Sequence, residues 1–474
     1  MKPSVNGVRI REDAWKLPQW DSTLLWYAKA VAHMRSLPLD DFRGWRYQAA
    51  IHEYVRSRDP LAIPSETQPS APKQARFWTQ CQHGSWYFLP WHRMYLGFFE
   101  QIVRGHIVAL GGSEDWALPY WNYSDPSPNA KKARIEFISP TLPDGTKNAL
   151  ADAVRSSKTG NFGITSSDVD LSCLKTVPFR TGSFGAPAGF GGPKTGFQHS
   201  GGIIGDLERV PHGSIHMAVG GWMSSFSTAG LDPLFWLHHC NIDRLWEVWR
   251  TRGPQFQDPS DPSWGAPSGT TFGLQNAAGK VVSLTADQVV NTTAPVLSYR
   301  YEDISDPFTG AGLSAEDVEM ATGPAALVGA SEKPIRLTST PTTTVVRIDS
   351  AAVSESSAAL AAGEEPNAYL NIENIVGRSL APSYKVYVNA DGKTKGNIRY
   401  AGMLPMFGLV ERSSQEDPHG GGGLTYVLDI TDLVRRLRKA GAWDNEKLSV
   451  TFVPKGADEP DNSLKVGRVS LYYR

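Results

Sequence analysis

The chain has 474 residues, 41% hydrophobic and 20% charged, which supports a large packed core and argues against global disorder. A formal net charge of -1 with no Lys/Arg run argues against nucleic acid or an anionic membrane as the main partner, and no apolar stretch of about 20 residues is present to span a bilayer. Cys81, Cys173 and Cys240 are too few for a disulfide framework, and MKPSVNGVRIRED lacks an apolar signal core, so a cytoplasmic location is expected, although a chain stripped of its signal would read the same.

Residues 43–56 predict an amphipathic helix with His52 on the face of Tyr47, Ile51 and Val55. A second helix is predicted over 91–110, beginning after Pro90, and the Gly/Pro/Ser-rich stretch 122–205 predicts mostly loop. A third helix is signalled by VPHGSIHMAVGG, with Pro211 in its first turn and Gly220-Gly221 at its end. LDPLFWLHHCNIDRLWEVWRTRG predicts a fourth, capped by Asp232 and terminated at Gly253. Together they predict a mainly α domain over 1–304, a four-helix bundle with long loops and inward histidines around a metal site. Residues 305–365, rich in Ala, Ser, Thr, Gly and Pro, read as a linker with one strand at 343–348. From 366 to 474 short alternating runs predict a smaller all-β sandwich with one helix at 431–440.

Eleven histidines are present, and singly each reads more readily as a surface or core residue than as a ligand. Spacing singles some out. His212 and His216, four apart on a helix, share a face, with His239 as a third donor; His238 and His239 point about 100° apart, so one of them faces the same metal. His83 and His92 flank SWYFLPW, and His52 offers a third imidazole from the neighbouring helix. An all-imidazole donor set suits copper, with zinc as the competitor.

The strings YQAAIHEYV, CQHGSWYFLPWHRMYLGFFE, ERVPHGSIH and GLDPLFWLHHCNIDRLW resemble the two copper-binding regions of tyrosinases and catechol oxidases, and Tyr299-Arg-Tyr301 resembles the Y-x-Y closing that catalytic domain. The resemblance covers roughly residues 20–301 and implies a dinuclear type 3 copper centre, with His52, His83 and His92 on copper A and His212, His216 and His239 on copper B. His238 would then sit beside the ligands. It also implies a Cys81–His83 thioether, a bulky Phe226 over copper A, and a Glu208 that holds a water near copper B. Phe235 is expected to stack on a ligand or a bound ring, and Asp243 to pair with Arg244. Gly213 follows His212 where family members that hydroxylate monophenols well often carry Asn. The activity implied is oxidation of o-diphenols to o-quinones by O2, with o-aminophenols and monophenol hydroxylation open. RYAGMLPMFG and LDITDLVRRL resemble more weakly the β-domain covering the site in plant polyphenol oxidases, which implies a placeholder side chain near Met403–Phe407. Two other classes stay open: a haemocyanin-like O2 carrier, and a zinc hydrolase, which ordinarily keeps a carboxylate ligand or an open water position.

Overall fold

A computed structural model describes residues 1–180, 185–197, 202–308, 325–358, 365–389, 399–415, 421–456 and 463–474. The N-terminal half is mainly helical. Helix α1 (Ser22–Arg35) was not expected from the sequence; the Asp21 carboxylate accepts from the Thr23 N–H at 2.7 Å and starts it, and Leu24, Tyr27, Ala28, Val31 and Met34 are buried along one face. Helix α2 (Trp45–His52) stops at His52 because Glu53 turns extended, shorter than the predicted 43–56. A short α3 (Ala71–Phe77) leads to α4 (Phe88–Ala109), the long buried helix packed between α1 and its later partner. Helix α4 begins two residues before Pro90 rather than after it; in the first turn an N–H has no intrahelical acceptor, so proline costs nothing there.

The predicted third helix divides. Glu208–Gly213 forms a wide π-type turn broken at Val210 (φ -140°, ψ 126°), and only then does α5 (Ser214–Val219) run on to Gly220 at φ +67°. The break falls at Val210, since the residue before a proline is pushed out of the helical region, and Pro211 opens the stretch that continues into α5, as expected. After a single turn, α6 (Phe226–Ala229), comes α7 (Pro233–Arg250), capped as expected by Asp232, whose carboxylate accepts from the Leu234 N–H at 2.9 Å; it ends at Thr251, ahead of Gly253. The described part of 122–205 is loop with three short 3-10 turns, Ile135–Phe137, Ser166–Asp168 and Ser172–Lys175. No helix among the described residues is long and apolar enough to cross a membrane.

Strand β1 (Arg9–Arg11) lies parallel to β4 (Tyr299–Tyr301), with a hairpin of β2 (Thr271–Gln275) and β3 (Val281–Thr285) between them in sequence. Beneath the β1–β4 pair, Asp243 accepts from Tyr299 at 2.5 Å, Tyr301 at 2.6 Å and Arg93 at 2.5 Å, while Arg11 reaches Glu100 at 2.8 Å. The expected Asp243–Arg244 pair does not form, because adjacent helical residues point apart; Arg244 instead donates to Asn241 at 2.9 Å. Asp243 is nearly fully buried, and breaking such a pair by removing one partner costs about 3–5 kcal/mol.

The C-terminal half is built on β5 (Ala326–Ser331), β6 (Ile335–Arg336), β7 (Thr342–Ile348), β8 (Ala368–Val376), β9 (Ser383–Val388), β10 (Tyr400–Leu404), β11 (Leu424–Asp429), β12 (Lys447–Lys455) and β13 (Lys465–Tyr473), with α8 (Ser350–Ala358), α9 (Leu409–Ser413) and α10 (Thr431–Lys439). The strand order is β10-β9-β12-β7-β5-β13-β8-β11, with β6 on β13, and every pairing is antiparallel. The sheet curls until its end strands meet: a Cβ on Gly402 of β10 would touch the Leu428 side chain of β11 at 2.8 Å. Val328, Leu370, Val386, Leu428, Val450 and Phe452 fill the space inside. The segment read as a linker over 305–365 is therefore not one throughout. Strands β5 and β7 lie inside the sheet despite their small and polar residues, because a strand flanked on both edges needs only a few inward side chains such as Val328 and Val346 to hold it.

Candidate metal centre

Seven of the eleven histidines converge on one buried spot. Helix α2 delivers His52 at its last residue, the loop before α4 delivers His83, and the first turns of α4 deliver His92; their donor atoms lie within 4.8 Å of one another. His212 from the π-type turn, His216 from α5, and His238 and His239 from α7 form a second group on the same criterion. The groups abut: the His92 and His239 rings stack at 4.4 Å and 9°. His199 and His419 lie outside the described residues.

Four ligands are aimed by backbone carbonyls. The Nδ1–H of His52 donates to the Phe226 carbonyl at 2.8 Å, that of His92 to Phe88 at 2.8 Å, that of His212 to Glu208 at 3.1 Å and that of His216 to Met223 at 2.7 Å. Each bond fixes the tautomer and leaves Nε2 as the lone-pair donor. The Nε2 atoms of His52, His92 and His212 are buried and make no hydrogen bond, while those of His216 and His239 face each other at 3.4 Å. Buried lone pairs left bare and converging are costly, and a cation bound by neutral imidazoles removes that cost. With no carboxylate or thiolate in either group, the donor chemistry fits copper.

Burial holds these rings neutral. It lowers His52 to about 4 and His216 to about 3, and pushes His92, His212, His238 and His239 well below the ordinary imidazole value. A base with a depressed folded pKa gives stability that is present above the unfolded value of about 6.5 and is lost as pH falls toward the folded one. Copper-free protein should thus lose roughly 2 kcal/mol for each of His52 and His216 between pH 6.5 and 4.5. The copper-loaded protein should hold on until the metal is released. Urea midpoints of both forms across this window check it; a flat copper-free profile would contradict it.

Aromatic rings wall the site. Phe226 lies flat on His83 at 4.2 Å and 11°. Phe235 packs on His239 at 4.3 Å and His52 at 5.1 Å, on ligands of both groups. Phe88, which no motif in the sequence marks although it sits in SWYFLPW, lies 4.8 Å from both His92 and His212 and so packs on both groups. Cys81 is fully buried two residues before His83.

Glu208 lies against Gly84. Both its oxygens accept the Gly84 N–H, at 2.9 and 2.7 Å, and its buried carboxyl is pushed up to about 7 by desolvation, opposed by the Arg412 guanidinium. Gly84 sits at φ +59°, and a Cβ there would strike Arg412 Nη2 at 2.5 Å, so only glycine permits this approach. Arg412 belongs to α9 of the β-domain, and nothing in its sequence surroundings marks it.

The same segment reaches the histidines. Phe407 stacks on His216 at 3.8 Å and 12°, with its ring also 4.7 Å from Phe226 and 5.5 Å from His212. Gly408 follows at φ +75°, where a Cβ would lie 2.3 Å from the Phe226 ring. The two halves are further joined by Lys455–Asp168 at 2.6 Å, by Arg58–Glu411 at 3.3 Å and by the Ile204 N–H donating to the Thr425 carbonyl at 3.0 Å.

Comparison with known proteins gives a consistent picture. The family model described as the common central domain of tyrosinase matches residues 43–183 and 186–252, and one described as a domain of unknown function matches 324–474. The chain is 33% identical to a tyrosinase of Hahella sp. (strain CCB-MM4), over 98% of this chain and 99% of that one. It is 28% identical to the chloroplastic polyphenol oxidase of Malus domestica, over 94% of this chain and 74% of that one. Among solved structures, latent apple tyrosinase superposes with a TM-score of 0.64 at 24% identity, covering 100% of this chain and 98% of that one. Latent aurone synthase gives 0.65 at 24%, covering 100% and 91%. These last two are likenesses of fold, and both include the β-rich half.

Proposed function

This chain belongs to the tyrosinase family, and we propose that within it the protein is an o-diphenol oxidase, with weak activity on monophenols. The observation that carries the finer reading is the surroundings of Glu208. His52, His83 and His92 would hold one copper and His212, His216 and His239 the other, and the pair would supply the paired electron transfer by which O2 takes four electrons from two o-diphenols, giving two o-quinones and two waters. The chain's own residues do the rest. Backbone carbonyls hold the imidazoles in register, and Phe88, Phe226 and Phe235 keep water out. A monophenol asks for more, because its hydroxyl must be deprotonated as it binds. Glu208 has a pKa near that of a useful base, but its oxygens are engaged by Gly84, and Gly213 offers no amide to fix a water beside it.

Copper-loaded, opened protein should therefore turn over dopamine far faster than tyramine, and Gly213→Asn should raise the tyramine-to-dopamine ratio. A Cβ at Gly213 would press on Pro405 at 3.1 Å, so the substitution also loosens the β-domain; the ratio, not the absolute rate, is the readout. Tyramine handled as readily as dopamine by the wild type would refute the diphenolase reading. Absence of quinone from either would favour the O2 carrier.

We also infer the thioether between Cys81 and His83, supported by the C-x-H spacing and the burial of Cys81 among the copper A ligands. Copper-matured protein should then be about two hydrogens light in intact mass and should resist alkylation at Cys81 after denaturation and reduction. Full alkylation there would disprove the bond.

A further inference from the structure

We propose that Arg58 is a specificity residue that anchors an acidic substituent, so that the uncovered site prefers o-diphenols carrying a carboxylate-ended side chain. The inference rests on the o-diphenol reading above and names a substrate class within it.

The covering segment shows what the pocket accepts. Its ring, Phe407, occupies the face of His216. Four residues farther on, within α9, Glu411 is only 2% exposed, and its Oε1 accepts from Ser225 Oγ at 2.8 Å and faces Arg58 Nη1 at 3.3 Å. Ser225 immediately precedes Phe226, whose ring lies on His83 and whose carbonyl orients His52. The carboxylate receptor is thus attached to the wall of the metal centre rather than to a distant part of the interface. Arg58 reaches it from the turn Arg56–Arg58 just after α2, the helix that ends in His52.

The charges on the cover are opposite to those of the site at both points. Glu411 meets the cation Arg58, while the next residue, Arg412, meets the carboxylate Glu208 beside Gly84. The cover presents an aromatic ring and a carboxylate, and an aromatic acid would present the same two groups. Arg58 has 41% of its side chain exposed, so it can remain solvated when the cover lifts and pair again when a substrate carboxylate arrives. A charge-assisted hydrogen bond of this kind is worth roughly a tenfold gain in affinity.

The test uses the full-length, copper-loaded chain carrying F407A and E411A, which vacates the ring's place and releases Arg58. Dihydroxyphenylpropionate and methylcatechol serve as the acidic and neutral substrates. Adding R58Q should lower the acid-to-neutral ratio of kcat/KM roughly tenfold, chiefly through KM for the acid, and R58K should restore part of it. High salt should erode the preference in the parent and leave R58Q unmoved. R58Q alone, opened with dilute SDS, repeats the measurement without the cover substitutions. An acid-to-neutral ratio independent of Arg58, with methylcatechol still oxidised, overturns the inference alone. If no background oxidises either catechol, the o-diphenol reading falls and takes the inference with it.

Discussion

Replacing Phe407 by Ala in the full-length chain should raise catechol turnover several-fold while leaving copper content unchanged. The ring stacks on His216, touches Phe226 and His212, and is 6% exposed, so it fills the space a substrate ring would need. Truncating a buried Phe costs about 3–5 kcal/mol and leaves a ring-sized apolar cavity, and such cavities bind aromatic molecules. The substitution should therefore lower the thermal midpoint and raise activity together, an unusual combination that an ordinary core residue would not give. Proteolysis offers an independent route. A cut between Phe308 and Ala325 leaves the β5–β7 strands with their sheet, whereas one within Ala326–Ile348 would break it. Equal turnover and apparent affinity in cleaved, substituted and intact protein would mean that the β-domain does not gate the site.

His239→Ala should reduce bound copper from two per chain toward one and abolish the magnetic coupling of the pair, whereas His238→Ala should keep both. Adjacent residues of α7, they have donor atoms that both lie near those of His212 and His216, so proximity does not separate them. Their surroundings do. His239 stacks on His92 and lies within 6.5 Å of His52, which places it on the side shared by the two groups. His238 stands beside Tyr123 at 5.7 Å, His216 at 4.8 Å and, nearly parallel, His212 at 5.4 Å. Losing His239 removes a donor where the two metals meet; losing His238 removes a neighbour that packs and steadies His212. Copper analysis with the magnetic response of the loaded variants distinguishes them. A H238A protein as depleted as H239A would reverse the assignment.

The histidine cluster was legible in the sequence because metal chemistry favours imidazole donors at helical spacings, and the structure gathers His52, His83, His92, His212, His216, His238 and His239 at one place. What aims those ligands was not legible. The carbonyls of Phe88, Glu208, Met223 and Phe226 belong to the backbone and leave no trace in residue identity. Helix α1 was missed although Asp21 caps it. Strand β7 was read at 343–348, but β5 escaped because its burial is lent by neighbouring strands rather than carried by its own side chains. Arg412 and Glu411 resemble any surface pair until the cover is docked.

The β1–β4 pair has a consequence for how the catalytic half is made. Residues 9–11 and 299–301 lie side by side, and Arg11, Asp243, Tyr299 and Tyr301 bolt them together from beneath. The chain between them is a closed loop with one seam. Such a loop can be reopened elsewhere: joining the two seam strands through a short linker and starting the chain at an exposed turn, such as Asp144–Gly145, would permute the order of the copper-binding regions without moving a ligand. For this half of the molecule, chain order is a record of synthesis rather than a requirement of the centre.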